Sequence, residues 1–382
     1  MRRVRAYSQI LLLVSAISYG FSYSQAVGRI GSDFLAFWSA GRLAVTGAAS
    51  KVYDLSAVGA VQAAVGRSDI FAFVNPPPML LFVAPFGYLP YPAAWALWIA
   101  FTYLAWFLTT RRLAPGLSWP LAAFPGALVS GWHAQSGLLT GALLAGAVRL
   151  LQGKPFAAGL CIGALVIKPH LAVLVPVALI AGRHWRAVAG AATGAIVLFA
   201  LAGVVFGRDL LLAYPKSWQV SQYLIRADDA DFFLRQVTIY AALRVAATPL
   251  IAAVTQAIAT AACAVLVWIV WAGRAPIDGK FAFLLAVTPL ATPYLFSYDL
   301  AFLAVPMFWL IAERGTGAWE RPKLLLFYFA PLVCRALALP LGANLAPWVQ
   351  VWMVWEIGKQ LRLVPPARGD GRDVSAGNLH IS

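Results

Sequence analysis

The sequence predicts an all-α protein that crosses a lipid bilayer many times. Hydrophobic residues make up 62% of the 382 residues and charged residues only 11%, whereas soluble domains carry roughly 25% charged residues. Apolar runs recur along almost the whole chain, and a helix needs about 20 such residues to cross the hydrocarbon core. The runs do not alternate as the strands of a membrane β-barrel would, so we expect membrane helices.

The net charge of +15 indicates topology, because Lys and Arg stand between the apolar runs and such residues mark cytoplasmic loops. No compact basic face with interleaved aromatic residues is present, so nucleic acid is not an expected partner. Cys161, Cys263 and Cys334 lie inside apolar runs without metal-ligand spacing. We expect them to be small buried apolar side chains.

The first crossing is expected over residues 10–27, as a retained signal anchor, because N-terminal arginines precede a run longer than a signal-peptide core. Residues 28–77 then form a long first extracytoplasmic loop. Residues 78–89 are short for a crossing. Either they are re-entrant or lie along the interface, and Arg111 and Arg112 are cytoplasmic, or they cross and these arginines are external.

About twelve crossings are expected in all, with both termini in the cytoplasm. After the first crossing they are residues 91–110, 117–131, 137–151, 156–168, 170–182, 187–206, 250–272, 280–293, 299–312, 323–340 and 346–360. Residues 1–363 would form one transmembrane domain, with a second large extracytoplasmic loop at 207–249. Residues 364–382, rich in Pro, Gly and charge, are expected to be a disordered cytoplasmic tail.

The strongest local feature is Asp33, which follows the first crossing and opens an aromatic stretch that ends at Gly47. We expect a helix here, lying in the headgroup region. Its apolar face would consist of Phe34, Phe37, Trp38 and Val45. Asp33 is then either a general base kept ionised by the helix dipole or only the N-cap of the helix.

Lys168 lies between two apolar runs and is followed by Pro169 and His170. An ionisable residue at membrane depth is costly and is a functional hypothesis by default. Lys168 and His170 are therefore candidates for binding a phosphate leaving group. The alternatives are a lysine that extends to the membrane interface and a histidine that only packs between helices.

Two further turns bring polar side chains to the same membrane face. His133 and Gln135 lie in one of them, and Tyr298 and Asp299 lie in the other. All four are candidate substrate-binding residues, although Asp299 also has the position of a helix cap.

Neither a metal nor a nucleotide cofactor is expected. No histidine pair has metal-ligand spacing, and the acidic cluster of Asp228, Asp229 and Asp231 resembles solvated surface more than a metal site. The sequence has no P-loop and no dinucleotide fingerprint. An activated substrate would therefore come from the membrane itself.

In order and spacing, several motifs between about residues 30 and 310 resemble the bacterial polyprenol-phosphate-mannose-dependent mannosyltransferases of glycosyltransferase family eighty-seven, in the GT-C superfamily. The matching motifs are Asp33 with its aromatic helix, Val52-Tyr53-Asp54, Asn75-Pro76-Pro77, the Gln135 turn, Ile167-Lys168-Pro169 and Arg183-His184-Trp185-Arg186. Through these motifs Asp54 and Asn75 join the candidate substrate-binding residues. The late turn from Tyr294 to Asp299 lacks the histidine that many members carry.

The resemblance implies a GT-C-like bundle of about a dozen helices in the cell (inner) membrane, with the active site on the extracytoplasmic face. It also implies transfer of a hexose, with mannose as first choice, from a polyprenyl-phosphate donor to a hydroxyl of a glycolipid or glycan. The transfer would invert the anomeric configuration, and Asp33 would be the general base. The alternative is a membrane transporter or flippase, which usually shows midplane charges, broken helices and related halves. A non-catalytic membrane scaffold is a third possibility.

Overall fold

The computed structural model describes residues 2–28, 32–66, 70–226, 229–314 and 322–363. Across these ranges the chain is helical, without strands, and has one isolated antiparallel bridge between Gln236 and Phe296. Within the same ranges, five helices are long and apolar enough to span a membrane. They are Arg5–Val27, Tyr91–Thr110, Trp185–Phe206, Pro249–Ala272 and Pro322–Leu341. The predicted all-α polytopic membrane protein is confirmed.

The first half of the chain contains ten α-helices, interrupted by short 3₁₀ segments. The α-helices are α1 (Arg2–Val27), α2 (Phe34–Val45), α3 (Leu55–Ala63), α4 (Met79–Val83), α5 (Tyr91–Thr110), α6 (Ser118–Ala122), α7 (Pro125–Trp132), α8 (Gly137–Leu150), α9 (Pro155–Gly163) and α10 (Val175–Ala181). The 3₁₀ segments are Ala49–Lys51, Ala84–Tyr88, Ala164–Ile167 and Pro169–Ala172.

The second half follows the same plan, with a group of short helices between two long ones. The helices are α11 (Trp185–Phe206), α12 (Arg208–Ala213), α13 (Pro215–Arg226), α14 (Ala230–Leu234), α15 (Ile239–Arg244), α16 (Pro249–Ala272), α17 (Ile277–Ala291), α18 (Ala304–Arg314), α19 (Pro322–Leu341) and α20 (Ala346–Gln360). A 3₁₀ segment, Ser297–Leu303, leads into α18. The predicted tail at 364–382 lies outside the described residues, and the count of about twelve crossings stays a prediction.

Several predicted crossings are not continuous α-helices. The ranges 156–168, 170–182 and 299–312 each include a 3₁₀ segment, and 117–131 contains a break. Residues 117–131 form α6 and α7 rather than one helix, with a break at Ala123 and Phe124. Phe124 has extended backbone angles because Pro125 follows it, and a residue before proline is disfavoured in the α conformation. The single helix predicted for this range was therefore wrong.

Contacts at both ends of α1 fix the direction of α5. The Ser32 hydroxyl, just beyond α1, lies 3.1 Å from the Tyr91 hydroxyl at the start of α5. At the other end, the Arg5 guanidinium lies 5.4 Å from the ring centroid of Trp119, beyond α5. We call the end with Val27 and Tyr91 the distal end and the end with Arg5 the proximal end. Helices α1 and α5 are therefore antiparallel.

Residues 78–89 fold back on α2 and do not cross the bundle. The Trp38 indole donates a hydrogen bond of 2.9 Å to the Leu89 carbonyl, and Arg42 donates one of 3.2 Å to Gly87. Since α1 ends and α5 begins at the distal end, the segment between them starts and finishes there. Of the two alternatives, the structure has the re-entrant one, with Arg111 at the proximal end.

Helix α2 is buried within the protein, whereas the prediction had its apolar face against the headgroup region. Nine of its twelve residues are buried, including Ser39. Gly41 and Gly87 let the backbones of α2 and the Ala84–Tyr88 segment touch, because a Cβ at Gly87 would overlap the Gly41 backbone. The re-entrant segment therefore covers the helix.

Helices α9 and α11 pack in direct backbone contact through matched glycines. Gly159 and Gly163 on α9 face Gly190 and Gly194 on α11, and each pair is spaced four residues apart. Small residues at this spacing let membrane helices approach closely. The contact holds the Ala164–Ile167 segment, and with it Lys168, at a fixed position at the end of α9.

Replacing Gly190 with leucine should separate α9 from α11, because any Cβ at Gly190 would overlap the Phe156 carbonyl oxygen. Overpacking of this kind costs about 1–3 kcal/mol. We expect a clear fall in the thermal midpoint of the detergent-solubilised protein, measured by fluorescence-detected size exclusion. Gly153→Leu is the matched control, because Gly153 faces open space. Equal midpoints for the two variants would contradict the packing.

Candidate active site

A buried ion pair joins two turns at the distal end of the bundle. The Lys168 ammonium contacts the Asp299 carboxylate, and their side chains are only 9% and 1% exposed. Lys168 also donates to the Ser136 hydroxyl at 3.4 Å, which brings in a third turn. Lys168 is thus a buried, paired cation, and the alternative of a lysine extending to the interface is wrong.

Local sequence explains why these turns can meet. Lys168 is extended at φ −151° because Pro169 follows it and excludes helical angles. Gly137 opens α8 directly against the Tyr298 carbonyl, where a Cβ would overlap that oxygen. Asp299 also accepts a hydrogen bond of 3.3 Å from the Phe296 amide. Asp299 therefore both caps its segment and carries half of the ion pair.

Asp33 lies at the N-terminus of α2, as predicted, but its side chain does not cap the helix. Its carboxylate instead lies 3.7 Å from Nδ1 of His133, and the Asp33 side chain is 31% exposed. The interpretation of Asp33 as only an N-cap is therefore wrong. A partly exposed carboxylate without a capping role can accept a proton from a substrate.

His133 and Tyr298 connect Asp33 to the ion pair. The His133 ring centroid lies 5.3 Å from that of Tyr298, and the Lys168 ammonium lies 5.2 Å from the centroid of the same Tyr298 ring. The contacts run from Asp33 through these two rings to Lys168 and Asp299. Five residues from four separate parts of the sequence thus form one continuous cluster.

Burial favours the neutral form of His133. Burial lowers the pKa of His133 below the ordinary value of 6.5. The negative charges of Asp33 and Asp299 oppose this shift. The positive charges of Arg335 and Arg235 add to it. The ring is therefore uncharged at neutral pH. Asp33 faces an imidazole there and not an imidazolium.

Arg235 and Arg335 were not identified from the sequence. The Ser297 amide donates to the Arg235 carbonyl at 3.3 Å, so Arg235 lies beside the turn that carries Tyr298. Arg335 lies inside α19. The signal in the sequence was the single arginine within the apolar run 323–340. Like Lys168, it is an ionisable residue at membrane depth and therefore a candidate functional residue.

His170 and Asn75 lie beside the cluster. Nε2 of His170 is buried and has no hydrogen-bond partner among the described residues, and its ring packs edge-on against Tyr294 at 5.7 Å. Asn75 donates to the Ile167 carbonyl at 3.2 Å and accepts from the Tyr53 hydroxyl through its own carbonyl. Asn75 therefore supports the residue before Lys168.

Gln135 is half-buried in the same turn as His133, and its side-chain oxygen accepts from the Ser136 amide at 3.3 Å. Asp54 lies elsewhere. It caps α3 by accepting from Ser56, which lowers the pKa of Asp54. It also lines a separate cavity of about 340 Å³. The other residues of that cavity are Ser50, Lys51, Asp209, Leu212, Ala213 and Lys216.

The acidic cluster and the cysteines take structural positions. Asp228 lies outside the described residues, and Asp229 caps α14 by accepting from the Asp231 amide at 2.9 Å. Cys263 and Cys334 are buried and Cys161 is half-buried, all as free thiols. In the described part of the chain, no group of three or more His, Cys, Asp or Glu side chains is placed to hold a metal ion.

A family model described as Glycosyltransferase family 87 matches residues 73–297, which is more than half of the chain. The chain belongs to this family. It is therefore a membrane glycosyltransferase, which favours the transferase over the transporter, flippase or scaffold. The match includes His133, Lys168 and His170, whereas Asp33 precedes it and Asp299 follows it. No curated protein and no solved structure matches the chain.

The ion pair of the glycosyltransferase can be tested by a double-mutant cycle. Lys168→Met leaves a buried carboxylate without its cation, and breaking a buried pair in this way costs about 3–5 kcal/mol. Adding Asp299→Asn removes the stranded charge. We expect the double variant to have a higher thermal midpoint than Lys168→Met alone. Additive losses would show that the two side chains do not stabilise each other.

Proposed function

We propose that this glycosyltransferase moves a hexose, with mannose as first choice, from a polyprenyl-phosphate donor to a hydroxyl of a glycolipid or glycan acceptor. The transfer is a single displacement with inversion, on the extracytoplasmic face of the cell (inner) membrane. The proposal depends above all on one observation, the Asp33 carboxylate that does not cap α2 and lies 3.7 Å from Nδ1 of His133. This carboxylate is the general base.

In the proposed reaction the acceptor oxygen forms a bond to the anomeric carbon while Asp33 takes the hydroxyl proton. The bond between the anomeric carbon and the phosphate oxygen breaks, and its electron pair leaves with the phosphate. A phosphate is a stable leaving group, so no general acid is needed. Lys168 and His170 bind this phosphate from the α9–α10 side, where Nε2 of His170 is buried and has no hydrogen-bond partner among the described residues.

An apolar cavity supports a lipid-linked donor. It has a volume of about 300 Å³ and is lined by apolar residues of the α9 region, α10 and α11. Pro169, one of its lining residues, stands directly between Lys168 and His170 in the sequence. A polyprenyl tail in this cavity would have its phosphate close to those two side chains.

The proposed contacts of the sugars remain Tyr298, Gln135 and Asn75. Asp54 remains a proposed contact of a longer acceptor.

The distribution of cations supports the proposed membrane orientation. Arg5, Arg111 and Lys154 belong to the proximal end or to turns that return to it. Glu356 near the end of α20 contacts Lys323, Arg314 and Lys359, so the proximal end is positively charged there too. Positive loops face the cytoplasm. The distal end, with Asp33, is then extracytoplasmic.

Asp33→Asn should lower transfer by at least about a hundredfold, since an amide cannot accept the hydroxyl proton. The measurement is transfer of radiolabelled mannose from polyprenyl phosphate to membrane acceptors by the purified enzyme. Asp278→Asn is the control, because Asp278 is exposed near the proximal end of α17. Near-normal turnover by Asp33→Asn in well-folded protein would exclude Asp33 as the base.

The rate of transfer should decline as the pH falls below about 6.5, the ordinary value for histidine. A protonated His133 would pair with Asp33 and make the carboxylate a weaker base. Because the pKa of His133 is lowered, this protonation begins only in acid. In His133→Asn no imidazolium forms. The acid limb of its kcat/KM profile should therefore lie at lower pH than that of the wild type. Superimposable profiles would exclude this role.

A further inference from the structure

Arg335 is a cation inside a membrane helix and forms no direct ion pair with a described residue, although the charge of Asp231 acts on it from a distance. It is half-buried in α19, one of the five helices able to span the membrane. No described residue forms an ion pair or a hydrogen bond with its guanidinium. An arginine at membrane depth is costly and usually faces the interior of the bundle, where something compensates its charge.

The packing of α19 brings Arg335 to the site. Helix α19 contacts α7, the Ser297–Leu303 segment and α14. These elements carry or adjoin His133, Asp299 and Arg235. Beyond the helix, the Asn344 side chain donates to the Gln236 carbonyl and fixes the distal end of α19 to the same loop.

The cluster is short of positive charge unless these arginines are counted. The Lys168 charge is offset by Asp299. Arg235 has one long contact of 4.0 Å with Asp231 and is otherwise half-exposed. With the carboxylates of Asp33, Asp299 and Asp231 counted, the cations Lys168, Arg235 and Arg335 balance the charge around His133. Among these three cations, Arg335 is the one that no described carboxylate holds in an ion pair.

We propose that Arg335, with Arg235, binds the phosphate of the lipid-linked donor from the α19 side and supplies the counter-charge that the Lys168–Asp299 pair does not. This inference rests on the proposed function. Guanidinium groups match phosphate because they donate two parallel hydrogen bonds and lose little hydration. Charge that develops on the leaving phosphate is then met by two guanidinium groups.

The test measures binding instead of turnover. The probes are farnesyl phosphate and farnesol, added to purified full-length enzyme in detergent. The proteins compared are the wild type, Arg335→Gln, Arg335→Lys and Arg149→Gln. Arg149 is exposed near the proximal end of α8 and serves as the matched control. Size exclusion and thermal midpoints establish that each variant is folded. Phosphatidylglycerol is added as a competitor, to separate a donor phosphate from a phospholipid headgroup.

We expect the wild type and Arg149→Gln to bind farnesyl phosphate at least about tenfold more tightly than farnesol, as for a charge-assisted contact. Arg335→Gln should lose this preference while still binding farnesol, and Arg335→Lys should retain part of it. Phosphatidylglycerol should compete weakly.

Unchanged preference in Arg335→Gln, or equal weakening for both probes, would overturn the role of Arg335 while leaving the proposed function intact. Effective competition by phosphatidylglycerol would reassign the site to a phospholipid headgroup. A wild type that does not distinguish the two probes would instead contradict the polyprenyl-phosphate donor, and so the proposed function.

Discussion

The buried ion pair between Lys168 and Asp299 is the interaction on which the rest of the site depends. Neither charge is tolerable alone at 9% and 1% exposure, since an isolated buried ion costs several kcal/mol. Each therefore fixes the turn that carries the other. Around them the helices become 3₁₀ segments, at Ala164–Ile167 and Ser297–Leu303. Irregular backbone at membrane depth is tolerated only where protein or a cavity surrounds it.

The geometry of the turns is set by helix packing farther from the site. Gly159 and Gly163 bring α9 against α11 and so determine where Lys168 emerges. Gly137 sets the approach of α8 to the Tyr298 turn, and Gly87 sets the approach of the re-entrant segment to α2. Asp33 begins α2, so its position follows from that last contact. Close backbone contact thus positions the proposed base.

The helices were predictable because hydropathy is a local property. The length and flanking prolines of residues 78–89 left two alternatives open, and only their contacts with α2 decide between them. The break before Pro125 was missed because the apolar run continues through it. The buried α2 and the pairing of Lys168 with Asp299 were not predictable, since the pair joins residues 131 positions apart. Asp54 was grouped with the site by a motif, yet the fold places it at a separate cavity.

The arginines and Asp33 act on the same ring in opposite directions. Asp33 favours a charged His133, whereas burial and the charges of Arg335 and Arg235 favour the neutral form, and the neutral form prevails because the pKa is lowered. An imidazolium at 3.7 Å would hold the carboxylate in an ion pair and reduce its basicity. The arginine charges proposed to bind the leaving phosphate therefore also keep the proposed base available, so that one arrangement of charge would serve both ends of the proposed displacement.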